Sequence, residues 1–194
     1  MYELVIDVES TCWSNDEDKT LHYKDGEIIE IGFTVVSSKT RELLSSSGIM
    51  VRPTRVPILS EFCKNLTSIG QDMVDSGLEF RWAIGRLSLY LGATFAANLS
   101  GMTMCSWGDY DRNMFKIECK RRGMTYPFGR HINIKKMFSR EMGVDKVGMM
   151  EALEIAGLDP MGVHHRGTSD AMNIARLYHY LKERSIDEAY TREG

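Results

Sequence analysis

Several features that define common classes of protein are scarce or missing in this 194-residue chain. There are only four cysteines and none forms a C-x-x-C pair, so neither a zinc ribbon nor a dithiol redox site is indicated. No apolar run approaches the roughly 20 residues that a membrane-spanning helix needs. No basic segment precedes the first strand-like run, so we expect no signal peptide, no membrane contact and a cytoplasmic protein.

Positive charge is not in excess either. The formal net charge is −3, which argues against a protein that coats nucleic acid by charge alone. The basic residues are nevertheless unevenly distributed, because residues 112–140 contain nine lysines or arginines and a single acid, Glu118. This segment forms a solvated surface or attracts phosphate locally, and the pattern alone leaves both interpretations open.

The predicted elements follow the order of a single α/β domain. Strands are predicted over residues 2–8, 27–38, 45–53 and 101–107. The short spacing of the first three indicates an antiparallel meander. Helices are predicted over residues 80–91, 109–123, 132–143, 148–158 and 169–184. We therefore expect one three-layer α/β domain with a mixed sheet over residues 1–184, followed by a short C-terminal tail at 185–194.

Capping residues mark the ends of three helices. Ser60 is placed to cap a short helix within the segment 54–77, and Gly123 stands where a preceding helix should stop. For the last helix, either Thr168 or Ser169 is the expected N-cap.

The stretch VIDVESTCW, residues 5–13, places two acids inside an otherwise apolar strand pattern. Acidic residues are depleted in strands and are rarely buried unless paired. Because side chains alternate along a strand, Asp7 and Glu9 point to the same face, and their carboxylates lie close enough to share a divalent cation. The alternative is an edge strand that carries two solvated acids, and this short motif does not decide between them.

A second acidic site follows the strand over 101–107, in SWGDYDRNMF (106–115). The carboxyl ends of strands in open α/β sheets are where ligands bind. Asp111 precedes Phe115 by one helical turn, so a core-facing Phe115 brings Asp111 to the inner face, whereas Asp109 is better placed as a helix cap. We favour Asp111 for the site. In the alternative, both acids only complement the helix dipole.

A third site is indicated by HHRGTSDAMNIARL, residues 164–177. His165 is expected on a loop, where an imidazole can accept a proton near neutral pH. Asp170 opens the last helix, where an acid stays ionised and can bind a cation. Taken alone, His165 has the alternative of a structural or solvated histidine.

The combination of these motifs is far more specific than its parts. Four acids and one histidine occur in the order D-x-E … D … H-x-x-x-x-D, each at the end of a predicted strand or helix. Four carboxylates and water around two divalent cations is the arrangement that phosphodiester hydrolysis needs. One ion lowers the pKa of a water, and the other stabilises the leaving 3′ oxygen.

This pattern resembles the DEDDh 3′–5′ exonucleases, the DnaQ-like family with a ribonuclease H-like fold, and within it the Eri-type and KapD-like branch. The matching segments are DVEST, EIIEIG, LSEFCKNLTSI, SWGDYDRNMF, INIKKMF and HRGTSDAMNIARL, and the resemblance as a whole covers about residues 4–182. The resemblance implies a three-layer fold with a central mixed five-stranded sheet flanked by helices. It also implies an enzyme with two Mg²⁺ or Mn²⁺ ions that releases nucleoside 5′-monophosphates from the 3′ end of single-stranded RNA or DNA.

The resemblance assigns a metal-binding role to all four acids. Asp7 is expected to bridge both ions. Glu9 and Asp170 complete the site of the ion that activates water, and Asp111 serves the second ion. His165 is then the general base on the attacking water.

The resemblance also predicts contacts with the terminal nucleotide. The backbone near Ser10 and Thr11 is expected to receive the terminal 3′-OH, and Leu66 and Thr67 are expected to pack against the last base. Trp13 is a candidate for stacking on a base, with core packing as the alternative.

Other positions near these motifs have simpler interpretations. His164 is interpreted as a bystander and Trp107 as a core residue. Ser68 replaces the glycine common in the family's LTGI segment, so the resemblance does not give the geometry of the wedge there. The basic segment 112–140 gains a candidate use, guiding the phosphate backbone toward the metals.

Three functions are compatible with this pattern. The leading hypothesis is a 3′–5′ exonuclease. The alternatives are a catalytically silent nucleic-acid-binding or regulatory protein on the same fold, and an endonuclease. The sequence does not separate RNA from DNA, because that choice depends on contacts to the 2′-OH. A chain of this length has no room for a separate targeting domain, so we expect any targeting to need a protein partner.

Overall fold

One five-stranded sheet organises the residues that the computed structural model describes, which are 2–14, 23–40 and 42–192. The strands are β1 (Tyr2–Ser10), β2 (Ile28–Ser37), β3 (Leu43–Met50), β4 (Thr103–Ser106) and β5 (His131–Asn133). The helices are α1 (Glu61–Thr67), α2 (Gln71–Asp75), α3 (Phe80–Phe95), α4 (Tyr110–Arg121), α5 (Ile134–Met142), α6 (Met149–Ala156) and α7 (Gly167–Arg192). The strand order is β3-β2-β1-β4-β5.

β1 lies at the centre of the sheet and joins its two halves. It pairs antiparallel with β2, where Val8 is opposite Ile31, and parallel with β4, where Val5 is beside Cys105. β2 pairs antiparallel with β3, and β4 pairs parallel with β5. The predicted meander and the mixed sheet are confirmed, and β1 and β4 direct their carboxyl ends to the same edge.

The apolar side chains of β1 alternate between two cores, one on each face of the sheet. Leu4, Ile6 and Val8 pack with apolar residues of α3 and α4. Val5 packs on the opposite face with residues of α5, α6 and α7. The result is the expected three-layer arrangement of helices, sheet and helices, in which the odd-numbered positions of β1 face α7.

The helix predicted over residues 132–143 begins two residues later, because His131–Asn133 form β5. This strand has only three residues, which is too short to show an alternating pattern, and it exists through its pairing with β4. Asn133 then caps α5, since its side-chain oxygen accepts a hydrogen bond from the backbone N–H of Lys136 at 2.9 Å.

Two of the three helix ends predicted from capping residues, at Ser60 and Gly123, agree with the structure. The Ser60 hydroxyl caps α1 by accepting a hydrogen bond from the backbone N–H of Cys63 at 2.9 Å. Gly123 follows α4 with a φ of +60°, a conformation that favours glycine because no Cβ is present.

α7 differs from its prediction at both ends. It begins two residues earlier, so Thr168 and Ser169 lie inside its first turn and their predicted capping role is wrong. Thr168 instead donates its hydroxyl to Glu30 at 3.1 Å, and Ser169 accepts from the N–H of Val163 at 3.3 Å. α7 continues to Arg192, within the segment predicted as a tail. Like every helix in the described part of the chain, it lacks the length or apolarity needed to cross a membrane.

Two arginines of the basic segment serve the fold. Arg121 pairs with the buried Glu118 at 2.9 Å. Arg122 pairs with the fully buried Glu27 at 3.0 Å. The Glu27 carboxylate also accepts hydrogen bonds from the backbone N–H groups of residues 54–56. α4, the start of β2 and the loop before α1 are therefore held together by charge-assisted hydrogen bonds.

Candidate active site

Four carboxylates converge at the carboxyl end of β1. Asp7 and Glu9 come from β1 itself, Asp111 from the first turn of α4 and Asp170 from the first turn of α7. Carboxylate oxygens of Asp7, Glu9 and Asp170 lie within 4.8 Å of one another. Asp111 lines the same cleft, and its Oδ1 accepts a hydrogen bond from the backbone N–H of Val8 at 3.0 Å. The structure thus brings together all four predicted acids.

The central position of β1 explains how two acids can be presented side by side. Asp7 and Glu9 face the α7 side of the sheet, while Val8 between them anchors the strand in the opposite core. The pairing of β1 with β2 shifts register between Glu9 and Ser10, where the regular ladder breaks. Glu9 is only 9% exposed, so the alternative of two solvated acids on an edge strand does not hold.

Asp109 and Asp111 point into different surroundings. Asp111 is 3% exposed and borders the cleft. Asp109 occupies the N-cap position of α4, as predicted, but its side chain makes no capping hydrogen bond. It instead pairs with Arg112 at 3.0 Å and with Lys136 at 3.3 Å. Burial alone would raise the pKa of Asp109, but these two cations lower it.

Burial and mutual repulsion raise the pKa values of the clustered acids. The pKa of Asp7 lies well above its ordinary value, first because of burial and then because of the charges of Asp111 and Glu9. Burial, followed by the charge of Asp170, raises the pKa of Glu9 to about 8. Burial raises the pKa of Asp111 to about 6. Without cations, the cluster therefore keeps protons that ordinary carboxylates release.

The donor set fits hard divalent cations. The four acids offer only oxygen ligands, which Mg²⁺ and Mn²⁺ prefer. The repulsion that raises their pKa values is the charge that a bound cation would balance. Beside them, His164, His165 and Asp170 form a second group whose donor atoms lie within 4.8 Å of one another. Divalent metal dependence thus agrees with the chemistry of the residues.

Two adjacent histidines border Asp170. The backbone N–H of His165 donates to Asp170 Oδ2 at 2.9 Å. Nδ1 of His164 lies 3.2 Å from both carboxylate oxygens of Asp170, and the two imidazole rings stack with centroids 3.9 Å apart. His164 therefore belongs to the site geometrically, although the sequence analysis interpreted it as a bystander. Its only signal was its position beside the motif.

The electrostatics of this loop suit a proton acceptor. Burial, followed by the neighbouring His164, lowers the pKa of His165, so its imidazole is neutral near pH 7 and can accept a proton. Burial raises the pKa of Asp170, while its contact with His164 opposes the shift.

The predicted 3′-OH contacts lie at the end of β1, where their polar groups are partly satisfied. The Ser10 hydroxyl is 2.5 Å from the hydroxyl of Tyr110, which lines the cleft. Thr11 is buried and makes two hydrogen bonds with the backbone of Glu27. Its N–H donates to the carbonyl of Glu27 at 2.9 Å, and its hydroxyl accepts from the N–H of Glu27 at 2.9 Å. Of the two, only Ser10 is hydrogen-bonded to a residue that lines the cleft.

The predicted wedge lies at the end of α1. Leu66 is 37% exposed, whereas Thr67 is fully buried and donates its hydroxyl to the carbonyl of Cys63 at 2.8 Å. Ser68 has a φ of +56°, which explains why glycine suits this position. Trp13 is partly buried. Of the two residues predicted to contact the last base, only Leu66 has an exposed side chain.

The cleft has a volume of about 380 Å³ and a second wall that was not predicted from the sequence. Besides the acids and histidines, its lining residues are Val8, Trp107, Tyr110, Gly148 and Met149. Trp107 packs against Phe138 with ring centroids 5.7 Å apart, in agreement with its core interpretation. Trp107 and Tyr110 lie within the second motif, but Met149 on α6 reaches the cleft only through tertiary packing.

Comparison with known proteins agrees with this geometry. Residues 4–178 match the exonuclease family RNase_T. The chain is 29% identical over 194 residues to ERI1 exoribonuclease 2 of Homo sapiens, covering 91% of this chain and 28% of that protein. It is 28% identical over 191 residues to the 3′-5′ exonuclease Snipper of Drosophila melanogaster, covering 91% of this chain and 67% of that protein.

The fold is also found among solved structures. The chain is similar to the nuclease domain of 3′hExo, a DEDDh family member bound to rAMP, with a TM-score of 0.84 and 27% identity. The match covers 94% of this chain and 92% of that domain. These findings confirm the expected five-stranded ribonuclease H-like fold. The chain therefore belongs to the exonuclease family, in the Eri-type branch of its DEDDh members.

Proposed function

We propose that the chain is a metal-dependent 3′–5′ exonuclease that releases nucleoside 5′-monophosphates from the 3′ end of single-stranded nucleic acid. The observation that carries this proposal is the gathering of Asp7, Glu9, Asp111 and Asp170 with His165 in one cleft. The names of its relatives, an exoribonuclease and a 3′-5′ exonuclease, support it.

Single-stranded RNA is the substrate that we propose first, with DNA as the second. Two of its human relatives are named ERI1 exoribonuclease 2 and 3′-5′ exoribonuclease 1. The nuclease domain of 3′hExo was solved with rAMP, and a further similar structure shows 3′-end specific recognition of a histone mRNA stem-loop by a 3′-exonuclease. The chain spans only 28% and 51% of the length of the two exoribonucleases named above. Targeting through a protein partner is a prediction for this chain.

We assign the roles in hydrolysis as follows. Asp7, Glu9 and Asp170 would hold one divalent cation, and Asp7 with Asp111 a second, each being Mg²⁺ or Mn²⁺. When bound, such cations supply positive charge that favours an ionised water and a leaving oxygen. The neutral imidazole of His165 accepts the proton of the attacking water. The water oxygen bonds to phosphorus as the bond to the 3′ oxygen of the preceding nucleotide breaks.

A single-stranded RNA labelled at its 5′ end tests the proposal. With Mg²⁺ or Mn²⁺, it should shorten one nucleotide at a time from the 3′ end. Asp7→Ala should lower the rate by about 100-fold or more, because the acid shared by both cations is lost. Asp159→Ala, which removes an exposed acid outside the cleft, is the matched control and should keep the wild-type rate. Full activity in Asp7→Ala would refute the assignment.

Two further substrates separate the alternative functions. A circular single strand should resist digestion, because only an endonuclease can cut it. A matched DNA strand measures the preference for RNA. Binding without cleavage, across both nucleic acids and both cations, would instead support a silent nucleic-acid-binding protein.

A further inference from the structure

One buried carboxylate holds the histidine loop, by which we mean residues 164–168, the last two of which begin α7. Glu30 on β2 is 2% exposed and accepts hydrogen bonds from three consecutive residues of this loop. Arg166 donates from Nε at 3.1 Å and from Nη2 at 3.5 Å. Gly167 donates its backbone N–H at 3.0 Å and Thr168 its hydroxyl at 3.1 Å. Glu30 thus clamps the loop on the side that leads into α7.

The conformation of His165 requires such support. Its φ is +59°, in the left-handed region that residues other than glycine keep only where the surrounding structure holds them. On one side, its backbone N–H is held by Asp170 at 2.9 Å. On the other side, the next three residues are held by Glu30.

The loop also rests directly on the sheet. A Cβ at Gly32 would lie 1.8 Å from the carbonyl carbon of Gly167. A Cβ at Gly48 would lie 2.2 Å from the Thr168 hydroxyl and 2.9 Å from Glu30 Oε1. This close approach encloses the Glu30 carboxylate, so its hydrogen bonds to the loop are shielded from competing water.

We propose that Glu30 is a positioning residue, whose carboxylate places the imidazole of His165 in the site. This inference rests on the proposed role of His165 as the general base. Glu30 lies opposite Glu9 in the β1–β2 register, but its oxygens are bonded to the loop donors. Among the described residues, neither group that could hold a cation includes Glu30: one is Asp7, Glu9 and Asp170, and the other is His164, His165 and Asp170. Its charge adds to the repulsion on Asp7 and Glu9, but its hydrogen bonds hold the loop that carries His165.

A double-mutant cycle tests this role with the RNA assay. Glu30→Gln keeps the size of the side chain but turns an amide toward the loop donors, so we expect kcat to fall about 10- to 100-fold with KM within about twofold. In a His165→Ala background, the same change should cost less than about twofold, because the positioned group is absent. A double variant whose loss equals the product of the two single losses would overturn the proposal.

Glu27→Gln is the matched control. Glu27 is also a buried carboxylate that accepts backbone N–H bonds, but from residues 54–56 rather than from the histidine loop. It should therefore keep kcat within about twofold at a temperature where the variant is folded. A loss equal to that of Glu30→Gln would mean that any broken clamp lowers activity, which would overturn the specific role of Glu30.

Amide hydrogen exchange of the metal-free protein gives a readout that needs no turnover. Glu30→Gln should speed exchange in residues 164–170 by about tenfold and leave residues 54–56 unchanged, and Glu27→Gln should do the reverse. Unchanged loop exchange in Glu30→Gln would refute the clamp, whatever the activity. An inactive wild type whose loop exchange responds as expected would refute the proposed function and leave the clamp standing.

Arg166→Gln is the second variant if Glu30→Gln does not fold. It removes the charged donor from a partly exposed side chain and leaves the Gly167 and Thr168 donors in place. The same two measurements should change in the same direction by a smaller factor. No change in either kcat or loop exchange would overturn the proposal.

Discussion

Two aspartates that stand two positions apart have opposite electrostatic surroundings. Asp111 is buried among other acids, and burial raises its pKa to about 6. Asp109 faces Arg112 and Lys136, which lower its pKa despite burial. Two residues correspond to about 200° of rotation on a helix, so neighbours at this spacing point to opposite sides. The start of α4 therefore sends one acid into the cleft and the other to the surface.

This difference predicts unequal effects of the same chemical change. Asp111→Asn should lower the exonuclease rate by about 100-fold or more, because an acid of the proposed cation site is lost. Asp109→Asn removes partly exposed ion pairs and should change the rate by less than about threefold. Rates at saturating Mn²⁺ provide the measurement. If Asp109→Asn were the inactive variant, the second motif would be misassigned by two residues.

At the level of elements, the contact between β2 and α7 positions half of the site. α7 begins within the histidine loop and supplies Asp170 in its first turn, so its distance from the sheet sets where Asp170 and His165 lie. At Gly32, a Cβ would meet backbone atoms of Gly167, at 1.8 Å from the carbonyl carbon. Backbone cannot move aside as a flexible side chain can, so glycine is required at this position of a strand that is otherwise rich in β-branched residues.

Alanine substitutions at two glycines test this packing. Gly32→Ala should lower the free energy of unfolding by about 1–3 kcal/mol, the cost of overpacking a close contact, and should reduce activity by displacing α7. Gly85→Ala is the control, because Gly85 is exposed within α3 and has open space where a Cβ would lie. It should raise the free energy of unfolding by about 0.5–1 kcal/mol. Urea unfolding measures both, and equal effects would contradict the role given to Gly32.

At the scale of the whole molecule, the acidic cluster couples stability to pH. The pKa of Glu9 rises from its ordinary 4.5 to about 8, first through burial and then through the charge of Asp170. Burial and neighbouring acids raise the pKa of Asp7 in the same direction. Between about pH 4.5 and pH 8, the folded chain therefore binds more protons than the unfolded chain, and the free energy of unfolding falls as pH rises. Cations that balance the cluster should reverse this loss.

This coupling predicts a metal-dependent pH profile. In EDTA, Tm should fall between about pH 5 and pH 8. Added Mn²⁺ should raise Tm more at pH 8 than at pH 5, because at pH 5 the ion must first displace protons from the carboxyl groups that bind it. Glu9→Gln, which removes one of the titrating carboxyls, should flatten the EDTA profile. Differential scanning calorimetry provides the measurement. An EDTA profile in which Tm rises over this range would contradict the electrostatic account of the cluster.

Much of the site was predictable because its signals are local. The alternation along β1 is enough to place Asp7 and Glu9 on one face, and the helical period after Asp111 is enough to turn it inward. The cap at Ser60 depends on a bond to a residue three positions away. Such features depend on neighbours along the chain, so a single sequence carries them.

Other features were not predictable because they depend on partners far along the chain. In the sequence, Glu30 is a single acid within a predicted strand. Its hydrogen bond with the backbone N–H of Gly167 joins residues 137 positions apart. The pairing of β4 with β5, which places Met104 beside His131, also has no periodic signal. The sequence by itself therefore determined which chemical groups are available and which face of each element they occupy. Only the tertiary structure decided which of them meet, because long-range contacts arise when separate elements pack together.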